Sequence, residues 1–224
     1  MATLPHISLK KYVTVTERLL LICGILSSLL YAGIDALGGM VWRGYSFISQ
    51  PVSDLGSLGS PVRALVDPIF LVYDVLFFAF ALGVWAFAGR KRAVHVLGGL
   101  LVAYGIVNFV AIFTPEHLGE TATTLSNTLH IAAAAVTTLL YLLQLGVGAI
   151  AFGKWFRLYS VGTLLIVLAL GAYIFAGVSA GQLVPWVGIE ERILIYGYML
   201  WVMVLAITLL RAEKEQGSTN GSDA

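Results

Sequence analysis

The chain has 224 residues, of which 59% are hydrophobic and 11% charged, with a mean hydropathy of +0.91. A soluble domain carries about 25% charged residues, so this chain has too little charge to cover a water-facing surface, and lipid is the solvent implied for most of it. A net charge of +1 offers nothing to nucleic acid or another polyanion, and a single cysteine, Cys23, excludes a disulfide framework and a thiolate metal site.

Residues 1–18 are mixed, with Lys10, Lys11 and Arg18. The first apolar run extends from Leu19 to Trp42. Its length of about 24 residues crosses a bilayer and exceeds the roughly 7–15-residue core of a signal peptide, so it reads as a retained span. From Arg43 to Asp74, Gly, Pro, Ser and charge interrupt the apolar pattern. Ser60-Pro61 and Asp67-Pro68 both have the form of a helix start, because proline is tolerated at the first helical position and the residue before it can cap free N–H groups. This predicts a short interfacial turn over 61–66, then a second span from about Pro68 to Gly89 capped by Asp67. One helix from Pro61, kinked at Pro68, is the alternative. Arg90-Lys91-Arg92 closes the span. Four more follow at about Ala93–Phe113, Thr128–Phe152, Leu158–Ala180 and Ile193–Leu210. The polar remainder, 211–224, reads as a disordered tail. The expected fold is an all-α polytopic membrane protein, a bundle of six transmembrane helices over 19–210.

Ten of the 13 Lys and Arg residues fall at the ends of spans on the side of the termini; only Arg43, Arg63 and Arg192 fall on the other side. The positive-inside rule then predicts cytoplasmic termini, outward loops at 43–67, 114–127 and 181–192, and a place in the plasma (inner) membrane. Lipid gives helices little hydrophobic reason to associate. Glycines in spans one, three and five, among them Gly24, Gly33, Gly98, Gly105 and Gly171, are therefore expected to let helices pack closely.

The ionisable residues are distributed unevenly. Asp35 sits about 10 Å inside the outer end of span one. Asp67 and Asp74, seven residues apart, share nearly one face of span two. Asn108 lies near the outer end of span three; Glu116, His117 and Glu120 lie in the loop beyond it; His130 is in the first turns of span four. The inner half holds only Gln144 and His95. A carboxylate inside a bilayer costs roughly 2.5–3.5 kcal/mol on insertion scales, so such groups face the bundle interior and find partners. Asp35, Asp74 and His130 are expected to converge on a polar pocket open to the outside. Ser53, Asp54, Asp67 and His117 are its further binding candidates, and the 43–67 loop is its lid.

Such a pocket suits several chemistries. The first is binding of a lipid headgroup, a small amphiphile or a membrane-protein partner. The second is an intramembrane lipid hydrolase with His130 as base, Asp74 or Asp35 orienting it, and Ser126 or Ser49 as nucleophile; no G-x-S-x-G elbow is present. A zinc ion held by His117, His130 and Asp74 would need ligands from separate segments, since no HxxxH or HExxH spacing occurs. No cofactor is predicted. A structural alternative pairs the buried acids with Arg43, Arg63, Arg192 or Tyr45. A transporter is the weakest reading, because the polar residues do not continue through the inner half.

The stretch SFISQPVSDLGSLGSP, between two spans, resembles the membrane family called domain of unknown function 998, itself distantly similar to the Frag1/DRAM/Sfk1 membrane proteins. Ser53, Asp54, Leu55 and Gly56, with Pro61 following, carry the resemblance. Phe113, Pro115 and His130 fit the family's polar loop after span three and its His opening span four. The likeness covers about residues 19–210. It implies a six-span domain, prokaryotic in large part, with the first outer loop as its signature, and it implies no catalytic role.

Overall fold

Inside a bilayer each backbone N–H and C=O must be satisfied within the protein, and a long apolar segment does this locally by forming a helix. The computed structural model describes residues 9–89, 91–119, 124–179 and 185–219; Arg90, Glu120 and the 181–184 part of the third loop lie outside them. Six helices form: α1 Leu9–Val41, α2 Arg63–Phe87, α3 Arg92–Ala111, α4 Leu125–Ala151, α5 Lys154–Ser179 and α6 Val187–Thr219. All six are long and apolar enough to cross a membrane. In sequence order each packs on the next, and α6 returns to α1, so the helices close a ring.

Helix ends depart from the expected ones. α1 begins at Leu9 and α6 continues past Leu210 to Thr219, so the first residues of the expected tail are helical. α2 is one helix with Pro68 inside it, which is the alternative reading; the separate turn over 61–66 is not formed. Asp67 does not cap it. The N-cap is Val62, and the Asp67 carboxylate instead accepts from Arg63 Nε one turn back, at 2.9 Å. Burial explains why the helix runs through the proline: Val62 and Val66, ahead of it, are 3% and 0% exposed and belong to the core. Packing at both ends of the break offsets the one backbone bond that Pro68 cannot make.

Close approach holds the ring together, but only in part at the expected glycines. A Cβ on Gly24 of α1 would lie 2.5 Å from the Phe80 ring of α2, and one on Gly98 of α3 would lie 2.8 Å from Trp85 Cα. Gly33 and Gly171 have nothing within 4 Å. Gly83 and Gly148 serve instead, against Leu20 and Trp201. The tie to α5 is polar and aromatic: Trp201 Nε1 donates to Ser160 Oγ at 2.9 Å, beside Phe156. Deeper polar groups are similarly spent between helices. Gln144 accepts from Tyr198 OH at 2.7 Å and donates to Leu100 O at 3.2 Å, while Ser28 donates to Met199 O at 2.9 Å.

Candidate functional site

The loops at the end of the bundle opposite the termini interlock. Val52–Gly56 forms a short 3₁₀ turn whose Val52 and Leu55 are 1% and 0% exposed, which anchors it to the bundle. Leu58 N–H donates to Glu116 O at 2.8 Å and Leu118 N–H to Leu58 O at 3.0 Å, joining the first loop to the second. Ile189 N–H donates to Ile48 O at 3.2 Å and joins it to α6. Asp54 points at Gln50, whose Nε2 donates to it at 3.4 Å; burial raises the Asp54 carboxyl above its ordinary value despite that bond.

Two polar centres lie under these loops. In the first, Arg192 of α6 grips Asp35 of α1 with two parallel bonds, Nε to Oδ2 at 2.9 Å and Nη2 to Oδ1 at 2.8 Å. Such forked pairing is the strongest form of guanidinium–carboxylate contact. Nη1 donates to the carbonyls of Phe47, Gln50 and Gly188 at 2.8, 2.9 and 3.0 Å, and Nη2 to Tyr45 OH at 2.7 Å. Tyr196 OH donates to Asp35 Oδ2, and Tyr45 OH to Pro51 O at 2.7 Å. Burial outweighs the nearby guanidinium and pushes the Tyr45 phenol up to about 12, so it stays a donor. The guanidinium also lies 4.9 Å from the centre of the Phe47 ring. Asp35, at 1% exposure, has its charge and both oxygens answered. It therefore does not join Asp74 and His130 as expected: it is a structural anchor that pins the first loop to α1 and α6.

The second centre is a cavity of about 170 Å³. Its wall takes Tyr31 from α1, Asp67, Phe70, Tyr73 and Asp74 from α2, Asn108 from α3, His130 from α4 and Glu191 from α6. Ser53 and Gly56 of the 3₁₀ turn, Ala111 at the end of α3 and Glu116 of the second loop also line it. Among the expected site residues, Ser53, Asp67, Asp74 and His130 share this wall, and Asp54 and His117 stand outside it. The His117 ring and backbone N–H both meet Asn127 Oδ1, at 3.2 and 2.8 Å. Glu191 of α6 is also in the wall and accepts from Val52 N–H.

Asp74 contrasts with Asp35 and Asp67, whose carboxylates are hydrogen-bonded to arginines. It is 5% exposed, and its carboxylate accepts no hydrogen bond among the described residues. His130 Nε2 stands 3.9 Å from Glu116 Oε1, beyond hydrogen-bond reach, and His130 Nδ1 and Glu116 Oε1 are buried without partners among the described residues. Most buried polar atoms in proteins are hydrogen-bonded; among the described residues this wall holds two open ones, and Tyr141 OH and Glu190 Oε2 are open elsewhere. Asp74 also borders an apolar groove of about 340 Å³ between α2 and α3, lined by Val75, Phe78, Gly105, Ile106 and Phe109. Val75 and Ile106, at 60% and 51% exposure, open it to the bundle's outer surface.

The arrangement attracts cations and accepts hydrogen bonds. Among the described residues no three His, Cys, Asp or Glu side chains group to hold a metal, so His117, His130 and Asp74 are not assembled into the zinc site considered from sequence. Ser126, expected as a possible nucleophile, donates to Pro115 O at 2.5 Å. No serine hydroxyl among the described residues is hydrogen-bonded to His130.

The fold and these features define a multi-pass helical membrane protein with an acidic cavity beneath its loops. The chain belongs to the family described as "Protein of unknown function (DUF998)", whose profile matches residues 25–208, close to the whole of the six-helix region. No curated protein and no solved structure matches it.

Proposed function

We propose that the protein binds a membrane amphiphile, with the polar headgroup in the acidic cavity and the cavity on the extracytoplasmic side of the plasma membrane. One observation carries the reading: Asp74 is buried, and accepts no hydrogen bond among the described residues, where a polar cavity meets an apolar groove. A carboxylate at membrane depth is costly and ordinarily paired, and Asp35 shows that this chain can pair one fully. An unanswered acid joined to both a polar and an apolar space matches the two halves of an amphiphile. Binding is preferred to hydrolysis because Asp35 is committed to Arg192 and no serine among the described residues is hydrogen-bonded to His130. It is preferred to transport because Gln144, Ser28 and Ser160, deeper in the bundle, are engaged in helix contacts.

Lipid analysis of protein purified in mild detergent tests the proposal. The wild type is expected to retain an amphiphile through purification. Ala111→Trp, which projects bulk into the cavity from α3, is expected to lose it while melting at a similar temperature. Wild-type protein that carries no amphiphile and takes up none when it is supplied would sink the idea.

A further inference from the structure

Resting on that reading, we infer that the amphiphile is cationic: an amine headgroup sits against Asp74, and its hydrocarbon chain lies in the groove between α2 and α3. The cavity wall holds Asp67, Asp74, Glu116 and Glu191, and neither Lys nor Arg. Its one basic side chain is His130. Two of the acids are already answered, Asp67 by Arg63 and Glu191 by the Val52 N–H. Asp74 accepts no hydrogen bond among the described residues, and Glu116 Oε1 has only the His130 Nε2 contact at 3.9 Å. The arginine of the neighbouring centre, Arg192, is committed to Asp35.

An ammonium group carries up to three N–H donors and no acceptor, which is the complement of a wall of open carboxylate oxygens. A phosphate headgroup would bring acceptors to acceptors and negative charge to negative charge, in surroundings of low dielectric where like charges repel strongly. The aromatic members of the wall agree. Tyr31 stands edge-on to Phe70 and to Tyr73, with ring centres 5.7 and 5.1 Å apart, so three rings border the same space as the acids. Ring faces attract ammonium ions and do not attract phosphate.

The chain's place follows from continuity. Asp74 is the residue common to cavity and groove. A headgroup bound to its carboxylate puts the first methylenes beside Val75 and Phe78. Gly105 keeps the groove deep: a Cβ there would stand 3.3 Å from the Phe78 ring. Because Val75 and Ile106 face outward, the ligand enters sideways from the membrane.

The test measures binding of radiolabelled dodecylamine to the full-length protein in nanodiscs near neutral pH, with dodecanol, dodecyl phosphate and butylamine as competitors. Dodecylamine is expected to bind at least about tenfold more tightly than dodecanol or dodecyl phosphate, as one charge-assisted contact allows. Asp74→Asn should remove that preference while leaving dodecanol binding in place. Val75→Trp, which fills the groove from an exposed position, should weaken dodecylamine and leave butylamine unchanged. Equal binding of amine, alcohol and phosphate would overturn the charge assignment yet leave the amphiphile reading standing. Butylamine binding as tightly as dodecylamine would overturn the chain's placement and point to a free amine. Failure of all the long-chain probes would remove both this inference and the proposed function. Circular dichroism melts of the two variants exclude misfolding as the cause of a loss.

Discussion

Asp35 and Asp74 sit on adjacent helices, 1% and 5% exposed, at the same end of the bundle, yet the first takes both arms of Arg192 and a tyrosine hydroxyl while the second accepts no hydrogen bond among the described residues. Both are buried, so each carries a desolvation cost. In the Asp35 centre that cost is offset at once by fixed partners, and the result is geometry: two loop carbonyls, the Gly188 carbonyl one turn back in α6 and a tyrosine are held on one guanidinium. At Asp74 it is left uncompensated beside open space. The chain has the means to satisfy a buried acid and does so in one of these two neighbouring places; Glu190, 6% exposed with Oε2 open among the described residues, is another acid left without a full set of partners, and Asp74 differs from it in bordering the cavity and the groove.

Breaking the satisfied centre should have the largest effect. Arg192→Met strands Asp35 without its counter-charge, and loss of one partner from a buried pair costs about 3–5 kcal/mol. Denaturant unfolding in detergent reads this directly. The double variant Asp35→Leu with Arg192→Met should recover much of the loss, because the stranded charge is then gone as well. If the single variant unfolds like wild type, Asp35 is not held in the way described. Gly188→Ala comes next. Its new Cβ would meet Gln50 O and would lie 2.8 and 2.9 Å from the carbonyls of Phe47 and Ile48, all of them backbone that cannot rotate away. Overpacking of this kind costs about 1–3 kcal/mol. The same measurement should show it, with Gly162→Ala, at a position with nothing within 4 Å, as the neutral control.

The open centre should respond with the opposite sign. Asp74→Asn removes a carboxyl group that accepts no hydrogen bond among the described residues, so stability should stay level or rise, by up to about 1 kcal/mol. A clear fall in melting temperature would mean that Asp74 has a stabilising contact after all, and the contrast between the two acids would collapse.

Much of this contrast is invisible in the sequence, for physical reasons. Six apolar runs are legible because a bilayer demands about 20 apolar residues per crossing, and all six helices form. Their ends are less so, since a helix continues through polar residues once it leaves lipid, as α6 does to Thr219. Asp67-Pro68 reads as a start signal, but Arg63 one turn earlier takes the carboxylate and the helix runs on. Asp67 and Asp74 on one wall follow from their seven-residue spacing. Which acid Arg192 would choose does not, because that pairing joins residues 157 positions apart and depends on how α1 and α6 meet. The glycines show the same limit: composition marks Gly24 and Gly171 alike, and only the ring's packing separates the one under Phe80 from the one with no neighbour.

The smallest expected effect is at Asp54, in the loop that covers both centres and outside the spans. Burial raises its carboxyl above 3.8, Gln50 pulls it back in part, and Glu116 adds to the rise. The folded state therefore holds this proton more tightly than the unfolded chain. Stability from this group is full below the unfolded value and is lost as pH climbs from 3.8 through the raised folded value. Asp54→Asn abolishes the slope. The variant should match wild type at the acid end and exceed it above the window, by under about 1 kcal/mol because the group is partly solvated. Thermal melts of both proteins across that window, one subtracted from the other, isolate Asp54 from the remaining acids. A variant that falls below wild type above the window instead would mean that the ionised form is the one the fold stabilises. Gln50 would then be a true partner to Asp54, and the loop would belong with the satisfied centre rather than between the two.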